Sequence, residues 1–477
     1  MMGSSSPFHF GKKPAKSFVI VGVTVVNVNA ASADVALKLN RTIVIEGDRI
    51  TALRPTTSAD LEQLTDHASP ARHDAGVRET IDGRNLFAIP GLIDTHVHLD
   101  WNHDEASELK LLLANGVTAI LEAGNPSEKV FQLRRQSLSR DFPGPRMEVC
   151  GPIITSTPAA WPGMTVVSTP RQAKQAVRAR AMAGAKFVKI YAQLPGDLSQ
   201  VVIDAAHRRG MRVIGHLGRT NASEATSMGM DIITHLSGVA DSALRDPEIA
   251  RARHAQGFSQ GWQATNAAWQ QAVPENLSDL IRRMVANRVA LSPTLWFQEI
   301  FATLGEETEE KRMTVQHAHA PPAILKSWQH FTMDIGDPEI YRSAWPLQKA
   351  FVKSFYKAGG LLIAGTDTPN QFVAPGLSLH QEIELFVETG IPPLEALKSA
   401  TVYASRALGH EEDFGSIEVG TRADLLLIEG DPLVDLKNIR KIGAIFRSGN
   451  LYHLEQLLDG SPPSPSSGFN SGDPSRF

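Results

Sequence analysis

The chain has 477 residues, 42% of them hydrophobic and 21% charged, with a net charge of −4. That length supports a large core and more than one domain, and the small negative charge gives no footing for nucleic acid or an anionic membrane as partner. A single cysteine, Cys150, excludes an intrachain disulfide and any multi-cysteine zinc site and fits a reducing, cytoplasmic setting, and no apolar run reaches the length of a membrane helix.

Residues 1–16 read as a flexible tail. Lys12, Lys13 and Lys16 precede the apolar run 17–26, with Ala30 to Ala33 behind it, a layout shared with signal peptides. Valine, isoleucine and threonine dominate that run rather than leucine, so a β-strand entering a sheet is expected. More strands are expected at 41–46 and 49–53, around the turn Gly47-Asp48. Residues 54–80 are polar and irregular and read as a loop, with neither His67 nor His73 a ligand.

The next stretch is Pro90-Gly91-Leu92-Ile93-Asp94-Thr95-His96-Val97-His98-Leu99. In a strand, the i, i+2 spacing of His96 and His98 puts both imidazoles on one face, about 6.6–6.8 Å apart, a ready chelate for a divalent ion. With 16 histidines in the chain, the pair gains weight only if further ligands stand downstream at matching positions. Asp94 reads either as support for the two histidines or as a strand-end cap.

Beyond residue 90, short apolar runs alternate with amphipathic segments. Strands are expected at 92–98, 117–122, 147–153, 186–191, 212–216, 231–235, 289–293 and 361–367. Helices fit 105–115, 171–183, 198–209 and 277–287. Eight such units over residues 90–409 argue for an α/β fold, a closed (β/α)8 TIM barrel. Active sites of such barrels lie at the carboxyl ends of the strands. There the sequence places His96 and His98, then Lys189 within Phe187-Val188-Lys189-Ile190-Tyr191, then His216, His235 and Asp367. Lys189 either snorkels to solvent or is buried. Burial lowers a lysine's pKa, and the neutral amine can take up carbon dioxide as a carbamate, an anionic oxygen ligand able to bridge two metals.

Two segments, 236–278 and 296–345, exceed ordinary loop lengths. They carry Trp262, Trp269, Trp296, Trp328 and Trp345, and a shorter loop adds Trp161. These either line an aromatic substrate pocket or pack the insertions. His317-Ala318-His319 could not chelate if helical, and His103, His207, His254 and His330 lack a strand-end context. Residues 423–429 and 442–447 read as strands that join those of 17–89, so that 17–89 and 410–455 form a composite β-sandwich. Residues 456–477, rich in Ser, Pro and Gly, read as a disordered tail.

With Pro90 to His98, Lys189, His216, His235 and Asp367 in place, the chain resembles the amidohydrolase superfamily, in the branch whose carbamylated lysine bridges a binuclear centre. The resemblance extends through Ser378-Leu379-His380-Gln381-Glu382 and Gly415-Ser416-Ile417-Glu418-Val419-Gly420-Thr421-Arg422-Ala423-Asp424-Leu425, and covers roughly residues 17–455. It is similar to the imidazolonepropionase-like and metal-dependent dipeptidase groups, including prolidase-like peptidases and ochratoxin-hydrolysing amidases. Imidazolonepropionases and deaminases of the superfamily typically use one metal and lack the strand-four lysine, which disfavours them here. Close relatives often carry His-x-His-Gly after strand five, where this chain reads His216-Leu217-Gly218-Arg219, a departure that bears on the substrate.

The resemblance implies that His96, His98 and Asp367 hold one divalent ion and His216 and His235 a second, with Lys189 bridging as its carbamate and zinc the expected metal. It implies hydrolysis of a C–N amide bond in a dipeptide, an N-acyl amino acid or a small aromatic amide. A metal-bridged hydroxide would attack, and Asp367 would shuttle the proton. Tyr191, two residues after Lys189, either donates to the oxyanion or packs. Arg219 either pairs with a substrate carboxylate or makes a surface salt bridge, and His380 either contacts substrate or serves its own helix. Lactone or carbamate hydrolysis, a metal-dependent lyase, decarboxylase or isomerase, and a non-catalytic scaffold are the alternatives. The expected partner is a small molecule, with no nucleic acid and no membrane, and the expected state is a homo-oligomer.

Overall fold

The computed structural model describes residues 17–65, 72–73, 76–99, 104–306, 314–316, 318, 320–330 and 334–458. The expected terminal tails (residues 1–16, and the last one from 459), His67, His103, His317 and His319 lie outside the described residues. Among the described residues no helix is long and apolar enough to cross a membrane.

The run 17–26 is a strand, Ser17–Val26, almost wholly buried. It pairs with Leu37–Glu46 on one side and with Gly76–Asp82 and Leu86–Pro90 on the other. Leu86–Pro90 in turn pairs antiparallel with Leu425–Glu429, which joins the two ends of the chain in one sheet. The sheet curls until its far edge meets its start. Ile50 N–H donates to Thr421 O at 3.0 Å, Ala423 N–H donates to Asp48 O at 2.9 Å, and the Phe18 and Phe446 rings meet edge-on at 5.2 Å. The sandwich-like unit is therefore one continuous sheet wrapped around an apolar core of its own. The helix Leu454–Leu458 follows it, past the expected boundary at 455.

Gly91 takes the chain from this sheet into the barrel. A Cβ there would lie 2.2 Å from Thr118 Oγ1, so only glycine permits the approach. The barrel strands are Leu92–Val97, Val117–Glu122, a third strand split into Arg146–Val149 and Ile154–Thr155, then Phe187–Ile190, Arg212–Gly215, Ile232–Thr234 and Ala290–Ser292. All pair in parallel. The ladder is not continuous around the ring. The eighth position, expected as a strand at 361–367, forms only the isolated bridges Leu291↔Leu362 and Val97↔Thr368. Backbone hydrogen bonds close the seam on both sides, from Leu291 N–H to Leu361 O and Ile363 N–H to Leu291 O (both 2.9 Å), and from Thr95 N–H to Ala364 O (3.0 Å), Asp367 N–H to His96 O (2.8 Å) and His98 N–H to Thr368 O (2.7 Å). Gly365 explains the tight crossing, since a Cβ there would lie 2.4 Å from Ser292 Oγ and 2.9 Å from His96 Cβ.

Inside the ring, Ile93, Phe187, Ile214, Ile232, Ala290 and Ile363 form an apolar layer with Ala404, Ala407 and Leu408 of the helix Val402–Leu408 beneath it. Because strand side chains alternate, the residues two positions further on face the same interior. Those are Thr95, Lys189, His216, Thr234, Ser292 and Gly365. The core layer thus sets the height at which the polar groups emerge.

Buried Glu148 accepts from His410 Nε2 (2.9 Å) and from Arg134 Nε (3.0 Å), linking the third strand to the helix Lys129–Ser137 and to the segment after Val402–Leu408. Burial pushes its carboxyl up, but His410 and Arg134 outweigh that and hold it below its ordinary value. Stabilisation from a depressed carboxyl is complete above the unfolded pKa and is lost as the pH falls through the folded one. We expect Glu148→Gln to cost about 1–3 kcal/mol at pH 7, with the gap to wild type narrowing below roughly pH 4, as read by chemical denaturation across pH.

Candidate metal centre

Asp367 organises the site. Its Oδ1 lies 3.2 Å from His96 Nε2 and 3.0 Å from His98 Nε2, and its Oδ2 lies 3.9 Å from His235 Nε2. His96, His98 and Asp367 form a buried metal-competent group. The His235 ring lies 4.5 Å from that of His96 and 4.7 Å from that of His216. Lys189, 1% exposed, puts its Nζ 3.5 Å from His96 Nε2 and donates to Thr234 Oγ1 at 3.2 Å. The structure thus gathers His96, His98, Lys189, His216, His235 and Asp367 into one buried cluster.

The backbone turns several of these groups inward. His235 (φ 60°), Thr294 (φ 50°) and Asp367 (φ 67°) are left-handed, a conformation costly for non-glycine residues and tolerated best by Asp, Asn and His. The His235 ring is fixed through Nδ1, 2.9 Å from Thr294 Oγ1. His98 Nδ1–H donates to the Gly124 carbonyl at 3.0 Å. The first strand carries an irregularity in its pairing between Asp94 and Val97, where His96 and His98 leave it.

This arrangement asks for a cation. With Nδ1–H donating to Gly124, His98 presents Nε2 to the Asp367 oxygen at 3.0 Å, so that a divalent ion bound there would take both as ligands. Burial pushes His96 down to about 3 and takes His216 and His235 well below the usual histidine range, so the imidazoles are neutral donors. Burial raises the Asp367 carboxyl, but His235 and His96 prevail and hold it well below the usual range. Burial also draws the Lys189 ammonium down to about 8. That shift raises the fraction of neutral amine near neutral pH.

Asp94 joins the segments that carry His96 and Asp367. Its Oδ1 accepts from the backbone N–H of His96 (3.0 Å) and of Thr366 (3.1 Å), and its Oδ2 accepts from the Thr366 hydroxyl (2.7 Å). Burial raises its carboxyl to about 7. We expect Asp94→Asn to weaken metal binding by about 10–100-fold, measured by competition with a chelator.

Above the cluster lies a cavity of about 390 Å³ whose walls include Ile153, Trp161, Tyr191, Phe258, Trp262 and Phe297. Tyr191 faces the cavity, with its ring 4.6 Å from that of His216 and its hydroxyl accepting from Trp161 Nε1 at 3.2 Å. Burial keeps that hydroxyl protonated. Two other sequence candidates are not brought together with the cluster. Arg219 points Nη1 at the Gln193 carbonyl, 3.4 Å away, and is outside the described cavity lining. His380 donates from Nε2 to the Asn115 carbonyl at 2.8 Å, buried on the helix Leu377–Glu388 and likewise apart from the cavity.

Of the tryptophans, Trp161 and Trp262 line the cavity. Trp269 packs on Phe351, Trp328 on Phe372, and Trp345 stacks under the Lys349 ammonium. Trp296 donates to the Phe372 carbonyl. Phe258 and Phe297 were not singled out by sequence. The available signal was Phe258 and Trp262 at i, i+4 on one helix face. His207 pairs with Asp231 at the surface and His254 with buried Asp241.

Compared with known proteins, residues 87–453 match the model of the amidohydrolase family. Among solved structures, the fold is similar to a Xaa-Pro dipeptidase with methionine bound in its active site (TM-score 0.64, 20% identity, covering 92% of this chain and 100% of that one). It is also similar to A. niger ochratoxinase (TM-score 0.61, 17% identity, covering 92% and 96%). A stretch of 89 residues is 34% identical to a 5-methylthioadenosine/S-adenosylhomocysteine deaminase of Thermoanaerobacter pseudethanolicus, covering 17% of this chain and 20% of that protein. The chain therefore spans about a fifth of that curated relative.

Proposed function

Because the chain belongs to the amidohydrolase family, we propose that it is a metal-dependent hydrolase of a C–N amide bond in a dipeptide, an N-acyl amino acid or a small aromatic amide. One observation carries this reading: six ligand-competent side chains, from the ends of four barrel strands and from the eighth segment, converge on the floor of an aromatic cavity. The finer assignment places the reaction in the branch with a carbamate on Lys189. His96, His98 and Asp367 would hold one divalent ion, zinc by preference, and His216 and His235 the other, with Lys189 between.

When bound, the pair of ions supplies Lewis acidity toward the carbonyl and a lowered pKa for water. The remaining steps belong to the chain. Asp367, ionised and facing three imidazoles, is positioned to take the proton from the attacking water and pass it to the departing nitrogen. Tyr191, still protonated, is positioned to donate to the oxygen that gains charge. The buried floor excludes bulk water and so strengthens both interactions.

The test is an assay of metal-loaded protein on amides in isotopically labelled water. Label appearing in the carboxylic acid product is the expected result. Product formed without label would indicate lyase or isomerase chemistry on the same site and overturn the hydrolase reading.

A further inference from the structure

The walls of the cavity narrow the substrate class. Resting on the amide-hydrolase reading above, we propose that the cavity selects an amide bearing an uncharged aromatic group and discriminates against a free carboxylate beside the scissile bond. In the reaction water adds across the C–N bond, giving a carboxylic acid and an amine.

The first ground is shape. Tyr191 and Phe258 stack at 5.7 Å with 27° between their planes, and Phe258 and Trp262 lie 6.3 Å apart at 18°. The three rings form a shelf beside His216, whose ring is 4.6 Å from Tyr191, 5.7 Å from Phe258 and 5.8 Å from Trp262. Trp161, 37% exposed, stands at the mouth with its ring 5.1 Å from Phe258. A flat ring entering past Trp161 meets nearly parallel aromatic faces leading down to the ligands, the setting in which offset stacking adds to apolar burial.

The second ground is charge. Among the described residues lining the cavity there is no arginine, and Lys189 is the one lysine, placed on the floor among the ligands. Arg219 lies outside the lining, with Nη1 3.4 Å from the Gln193 carbonyl and its Nε buried without a hydrogen-bond partner among the described residues. Asn370, an uncharged lining residue near the floor, donates one of its two amide hydrogens to the Asp367 carbonyl at 2.8 Å. A carboxylate held against the aromatic shelf would lose its hydration with no described cationic side chain to replace it. Drawn instead to the floor, it would occupy the place the scissile carbonyl needs.

The experiment compares N-benzoylphenylalanine with N-benzoylphenethylamine, which differ only in the carboxylate, on the metal-loaded protein. Hydrolysis is followed as kcat/KM, and binding independently by quenching of tryptophan fluorescence, to which Trp161 and Trp262 report. The neutral compound is expected to bind at least about tenfold more tightly and to be the better substrate. Phe258→Ala is expected to weaken its binding about three- to tenfold with the metal content unchanged. Tight, selective binding of the neutral compound without cleavage would uphold the selectivity and overturn the hydrolase reading. Equal or tighter binding of the carboxylate, or binding of neither, would overturn the selectivity.

Discussion

Replacing Lys189 with methionine is expected to lower the bound divalent metal from about two ions per chain to one or fewer and to reduce amide turnover by at least about 10²–10³-fold. Methionine suits the position because it fills a buried strand site between Val188 and Ile190 without a polar group, so the fold should persist. What it removes is the nitrogen 3.5 Å from His96 Nε2. If that nitrogen serves as a carbamate, the functional part is the pair of anionic oxygens rather than the amine. Lys189→Glu, which supplies a carboxylate directly, should therefore recover part of the metal that Lys189→Met loses. Elemental analysis of the three proteins, with thermal melting to show that each is folded, reads the result. Full metal content and full activity in Lys189→Met would remove the lysine from the centre.

Asp367→Asn is expected to lower turnover by about 10²–10⁴-fold while the melting temperature moves little. The amide keeps the shape of the side chain, and the backbone carbonyl of residue 367 still accepts from Asn370 Nδ2. It lacks the negative charge that faces His96, His98 and His235. Both proposed duties suffer, since a neutral amide is a poorer ligand and a very weak proton acceptor. The two can be separated. If metal content measured at saturating metal is restored while kcat stays low, the proton relay is the larger loss. Near-normal kcat at full metal loading would take Asp367 out of that relay.

The sequence made the barrel legible where strands were short, apolar and capped by chemistry. Val117–Glu122 was readable to the residue, and Phe187–Ile190 and Arg212–Gly215 nearly so, because burial on both faces imposes continuous apolar runs. The third strand was expected unbroken at 147–153. It is interrupted between Val149 and Ile154, with left-handed Gly151 in the gap, as its pairing passes from the second strand to the fourth. The eighth was expected as a strand because its composition is apolar. Instead the close passage of Gly365 beside His96 and Ser292 leaves isolated bridges.

At the site, alternation places Lys189 and His216 above Phe187 and Ile214, a two-residue rule that can be applied by eye. It could not reveal that His235 and Asp367 turn inward through left-handed backbone, since that depends on tertiary contacts. The aromatic wall was hidden for a related reason. Phe258 and Phe297 lie on the helices Phe258–Ala268 and Leu295–Ala302, and a helix in an insertion does not declare which face it offers to the cavity. His380 shows the converse, a histidine in a family-like motif whose ring is spent on the Asn115 carbonyl.

The most direct measurement is an anomalous-scattering crystal structure of the metal-loaded protein, recorded at the edge of the metal supplied. The account predicts a pair of peaks about 3.5–4 Å apart, one within ligand reach of His96, His98 and Asp367 and the other of His216 and His235, with density for a carbamate continuing from Lys189 Nζ to both. A single peak beside a bare lysine, or peaks remote from Asp367, would contradict it.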